Sequence, residues 1–119
     1  MIEIQNPKQY DLKKRTYEFA KKVREFVKKL PRTISNIEDG KQVIRSSGSI
    51  GANYIEANEA LSKKDFIMRT KISKKETKES RFWLRLTEPL PSEQKEQAYL
   101  INESIELMKI FGSILEKCK

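Results

Sequence analysis

The chain has 119 residues and a mass of 14.0 kDa, with 37% hydrophobic and 35% charged residues, 25 Lys and Arg against 17 Asp and Glu, and only 4 Gly and 4 Pro. That length holds one domain with a real core, and so few turn formers favour long helices over a sandwich or barrel. The absence of His, with Cys118 as the single Cys, excludes Ser-His-Asp and Cys-His catalysis, Arg–His ribonuclease chemistry, the Glu-x-x-His pairs of di-iron bundles, a structural zinc site and an internal disulfide.

Met1-Ile2-Glu3-Ile4-Gln5 has neither a basic region nor an apolar run, so no signal peptide is expected. No apolar stretch approaches the roughly 18 residues of a membrane span. The expected setting is the cytoplasm, without a membrane partner.

The first helix is predicted over about 7–30. Leu12, Thr16, Phe19, Val23, Phe26 and Leu30 recur at alternating spacings of 4 and 3, the period of a bundle seam. Asn6 fits the N-cap and Pro7 the first helical position; Leu30-Pro31 ends the run, since a residue before proline is pushed out of the helical region. The second helix is predicted over about 36–61 on Ile37, Val43, Ile44, Ser47, Ile50, Tyr54, Ala57 and Leu61. Gly40, Gly48 and Gly51 inside it each cost about 1 kcal/mol against Ala, so tertiary contacts must hold it. Ser47, Gly48, Gly51 and Ala52 would admit another backbone closely.

The third helix is predicted over about 63–88, opened by Ser62 with Asp65 in an approximate capping box and carrying Phe66, Ile72 and Trp83. The fourth, over about 92–117, has Ser92 as expected N-cap, Glu93 and Glu96 in the first turn, and a seam of Ile101, Met108, Phe111 and Leu115 flanked by Ile105 and Ile114. Short joints force neighbours to run antiparallel. The expected fold is therefore a single all-α domain over 1–119, an up-down-up-down four-helix bundle.

Charge is segregated. Residues 1–36 carry a net charge of +6 and 63–89 a net +5, while 37–62 and 90–119 are at −2 and −1. In the first helix Asp11, Glu18 and Glu25 each precede Arg15, Lys22 and Lys29 by four residues, which predicts solvent-exposed ion pairs within the helix. In the third, Lys74, Lys78, Arg81 and Arg85 form a row at spacings 4, 3, 4 with Lys71 and Lys75 beside it. Such a stripe suits either plain solvation or a phosphate backbone or acidic protein face. Lys21, Lys22, Lys28 and Lys29 form a second candidate patch.

Gly48-Ser49-Ile50-Gly51 fits the Gly-x-x-Gly of KH domains only by spacing, since a KH fold needs strands, and no Gly-Lys-Ser/Thr follows to make a P-loop. Arg45, Ser49, Asn53 and Glu56 instead make one polar row, while Glu76 and Glu79 share a helix face with Ile72 and Trp83. Carboxylates there are costly unless paired. An interhelical polar network with Arg45, Asn53 or a Lys is expected; the alternative is a hydrolase site in which Glu56, Glu76 and Glu79 hold a divalent ion. No catalytic residue, cofactor or metal is expected.

The run from Ser46 to Ala57, preceded by Arg45 and followed by Phe66-Ile67-Met68 and by Glu76 to Leu84, resembles the four-helix bundle protein family, also called 23S rRNA-intervening sequence proteins. The likeness extends from about Leu12 to Leu115, and the family pattern matches at Arg45, Ser49, Asn53, Glu56, Glu76 and Glu79. It implies a small bacterial cytoplasmic protein without known catalysis. A structural relative of that family is the accessory variability determinant of diversity-generating retroelements, a basic pentameric barrel that binds nucleic acid and a reverse transcriptase. The resemblance thus implies a homo-oligomer, a pentameric ring, that binds RNA or DNA or serves as a scaffold; the other expectation is a protein-binding adaptor for an enzyme such as a reverse transcriptase. Independently, Phe82 and Leu84 point about 200° apart on a helix, so Phe82 and Trp83 are the expected oligomer interface.

Overall fold

The computed structural model describes residues 12–119. Among them run four α-helices, α1 (Leu12–Lys28), α2 (Ile34–Asn58), α3 (Lys63–Leu86) and α4 (Gln94–Lys117), with a 3-10 turn at Pro91–Glu93 before the last. The bundle is 44 Å long and 24 by 19 Å across. Each helix runs against the next. Gly40 sits by Val27 and Gly51 by Thr16 across α1 and α2. Ser46 meets Ser80 and Ile50 meets Ser73 across α2 and α3, while Gln97 meets Leu84 across α3 and α4. Pairs Arg15–Glu103 and Lys29–Glu93 close the ring from α4 back to α1. This is the up-down-up-down order expected.

Caps explain where the helices begin. The Thr33 hydroxyl accepts the Asn36 N–H at 3.1 Å, so α2 starts at Ile34 rather than at 36. The Ser62 hydroxyl accepts the Asp65 N–H at 3.1 Å as its spacing predicts. Ser92 does not cap; it lies in the 3-10 turn, and α4 starts at Gln94 without a side-chain cap. The expected cap Asn6 and first-turn Pro7 lie outside the described residues. Because α2 stops at Asn58 and Ser62 fixes the start of α3, Leu61 falls at the tip of the connecting turn and is fully exposed, not part of the core.

Two side-chain amides, the buried Asn36 and the half-buried Gln97, fasten the joints between helices. Asn36 donates to Pro31 O and Glu88 O at 2.9 and 3.0 Å and accepts the Glu88 N–H at 2.9 Å, using all its bonding capacity but one lone pair. Gln97 donates to Leu84 O and Thr87 O at 3.0 and 2.9 Å, satisfying carbonyls that the end of α3 leaves open.

All six residues of the predicted seam are buried: Leu12, Thr16, Phe19, Val23 and Phe26 in α1, and Leu30 in the turn after it, since the helix ends at Lys28 rather than at 30. From α2 come Val43, Ser47, Ile50, Tyr54 and Ala57, with Ile37 and Ile44 half-buried. The Tyr54 and Phe111 rings meet edge-on at 5.9 Å between α2 and α4 at the bundle centre. Two expectations need correction. In α4 the buried line is Leu100, Ser104, Leu107, Phe111 and Ile114, whereas Ile101, Met108 and Leu115 are half-buried at its flank. In α3 the inner line is Thr70, Ser73, Thr77, Ser80 and Leu84, and Phe66, Ile72 and Trp83 are half-buried. Hydroxyls can line a core because each bonds a carbonyl or another hydroxyl: Thr70 to Phe66 O, Thr77 to Ser73 O, Ser73 across to Ile50 O, and Ser80 to Ser46.

The ion pairs predicted within α1 give way to bonds between helices. Arg15 makes a two-point contact to Glu103 at 2.6 and 2.8 Å, which raises the Arg15 pKa, and Lys22 donates to the Tyr99 hydroxyl at 3.2 Å. Lys29 approaches Glu93 at 3.9 Å, and Glu25 takes Lys28 instead. Asp11, the expected partner of Arg15, lies outside the described residues. Glu103 and Glu93 keep only 14% and 19% of their side-chain exposure, so solvent screens these contacts less than it would a fully exposed pair along one helix.

Candidate nucleic-acid interface

The outward face of α3 combines charge and apolar surface. At 100° per residue, Lys71, Lys75, Lys78, Phe82 and Arg85 fall within an arc of about 80°, and all five are exposed. Lys71, Lys74, Lys75 and Lys78 line one open depression together with Glu79, Phe82, Trp83 and Leu115 of α4. Lys75 approaches Glu79 at 4.0 Å. Lys71, Lys74 and Lys78 have no ion pair with any described residue. Lys74 is half-buried, its ammonium 3.7 Å from where a Cβ on Gly112 of α4 would stand. Arg81 is half-buried as well, and its shielded Nε has no hydrogen-bond partner among the described residues.

The depression draws together residues with three different expected roles. Its lysines were expected to meet phosphate, Phe82 and Trp83 another subunit, and Leu115 the core. Phe82 is 55% exposed and Trp83 half-buried, their rings edge-on at 5.0 Å and 80°. The second candidate patch, on and just after α1, divides between two sides of the helix and is partly paired. Lys21 borders the groove between α1 and α2, Lys22 lies 4.8 Å over the Tyr99 ring on the α4 side, and Lys28 and Lys29 are paired with Glu25 and Glu93.

Of the polar row, Arg45 reaches Glu76 and Glu79 at 3.2 Å each, bridging α2 to α3. Glu76 is buried, so this guanidinium is its compensating charge. Asn53 donates to the carbonyl and hydroxyl of Ser49 at 2.9 and 3.0 Å and accepts from Arg69 at 3.2 Å. The sequence held no signal for Arg69, one cation among many. Glu56 is exposed and joins neither group. Asn53 stands level with Arg69, so Glu56 lies about 15 Å along the bundle from Glu76 at 1.5 Å per residue. The three carboxylates imagined around one divalent ion are therefore not together, and no group of three or more metal-ligating side chains is found among the described residues.

The family model for the 23S rRNA-intervening sequence protein matches residues 8–113. The chain belongs to that family. A solved structure it resembles is a protein of unknown function from the S23 ribosomal protein family of Bacteroides thetaiotaomicron, 32% identical, covering 92% of this chain and 98% of that one with a TM-score of 0.75. None of the curated proteins matches. Family membership accounts for the four-helix bundle and carries no evidence of catalysis. No described helix is long and apolar enough to cross a membrane.

Proposed function

We propose that this family member is a non-catalytic binding protein whose α3 face grips the phosphate backbone of RNA or DNA. The observation that carries the reading is the cluster of Lys71, Lys74, Lys75 and Lys78 in one depression, three of them without an ion pair to any described residue. Lysines left unneutralised on a rigid helix present a fixed positive field, which phosphates fill by releasing counterions. Binding of this kind has little sequence preference. Changing Lys71, Lys74 and Lys78 together to Gln removes up to three phosphate contacts and should reduce the slope of log affinity against log salt by about 2 to 3. An unchanged slope would reject the assignment.

A second reading has its own observation. Phe82 and Leu86, one turn apart on α3, are 55% and 48% exposed, an apolar pair open to a partner. A protein contact there, either a ring of copies through Phe82 and Trp83 or an adaptor contact to a nucleic-acid enzyme, would cover it. Sedimentation at tens of micromolar tests the ring, and a monomer rejects it.

A further inference from the structure

We infer that the α3 face is built for single-stranded nucleic acid, with Phe82 as the platform on which one unpaired base stacks; the inference rests on the phosphate-binding reading above. Lys71, Lys75 and Lys78 precede Phe82 on one exposed line of α3, so a strand lying along the helix meets cations first and an aromatic ring next. The ring is 55% exposed, and Trp83 supports its position edge-on at 5.0 Å. Cationic grooves with interleaved aromatics are the physical requirement for single strands, because every base has a π-face to offer once it is out of a helix. A duplex hides those faces within its own stack and leaves Phe82 nothing to bind but backbone. A symmetric contact between two copies through this face is the poorer occupant, since it sets unpaired lysines of one copy against those of the other.

The test compares a labelled 12-nucleotide oligouridylate, a strand of the same length with abasic positions, and a 12-base-pair duplex, by anisotropy across salt, on the native chain and on Phe82→Ala. Phe82 is exposed, so its removal leaves the fold in place, which circular dichroism checks. Stacking of one base predicts a loss of about 5- to 150-fold for Phe82→Ala on the oligouridylate. On the abasic strand and the duplex the variant should bind like the native chain. Trp83, the only Trp, gives a second readout, because a base on the neighbouring ring should change its emission. Equal affinity for all three ligands with no Phe82→Ala effect would overturn the inference while leaving phosphate binding intact. Absence of binding to all three at low salt would overturn the phosphate reading and this inference with it.

Discussion

Gly48 and Gly51 stand one helical turn apart in α2, and replacing each with Ala should have opposite effects. Both substitutions remove a helix-interior glycine, which by propensity alone stabilises by about 0.5 to 1 kcal/mol. At Gly48 the new methyl meets only the end of the exposed Arg24 side chain at 3.3 Å, which can swing away. At Gly51 it meets the Thr16 hydroxyl at 3.0 Å and the Thr16 Cβ at 3.4 Å. Thr16 is fully buried, and its hydroxyl is held to Leu12 O and Lys13 O at 2.9 and 3.0 Å, so α1 itself must shift. Overpacking of that kind costs about 1 to 3 kcal/mol. Gly48→Ala should therefore gain about 0.5 to 1 kcal/mol, and Gly51→Ala should lose up to about 2 kcal/mol net. Urea unfolding followed by helical circular dichroism, with an unchanged slope against denaturant, measures both. Equal stabilisation by the two variants would refute the argument that glycine here serves the close approach of α1 and α2.

Two further substitutions probe the polar interior. Asn36→Ala removes three hydrogen bonds across the joints and should cost about 2 to 4 kcal/mol, seen as a fall in midpoint denaturant concentration; a change under about 0.5 kcal/mol would mean that the clamp is ornamental. Arg45→Met leaves the buried Glu76 without its cation and should cost about 1 to 3 kcal/mol, most of it recovered when Glu76→Gln is added; additive losses in the double variant would show that the pair is not coupled.

The fold was legible in the sequence where side chains are large and the period unambiguous. The 4, 3 spacing in α1 names every buried residue of that helix, and Ser62 with Asp65 marks the start of α3. It was not legible in the hydroxyl-lined face of α3. Thr70, Ser73, Thr77 and Ser80 read as polar surface until their bonds to carbonyls and to Ser46 turn them into small packing groups. In α4, Ile101, Ile105, Met108 and Leu115 flank an equally apolar inner line, so hydrophobicity alone does not choose between two faces about 100° apart. The candidate site was legible as a stripe of lysines. That Phe82, Trp83 and Leu115 share its depression depends on how α4 packs against α3, which no local pattern encodes.

The proposed function assigns phosphate binding to one face of the bundle rather than to the overall charge of +8. Two triple variants with the same loss of charge, Lys71, Lys74 and Lys78 to Gln on α3 against Lys21, Lys28 and Lys29 to Gln on and just after α1, are compared in salt titrations of oligouridylate affinity. If α3 is the interface, its variant loses about 2 units of the log–log slope while the α1 variant keeps a slope close to that of the native chain. Equal losses, or a larger loss from the Lys21, Lys28 and Lys29 variant, would overturn the assignment to α3.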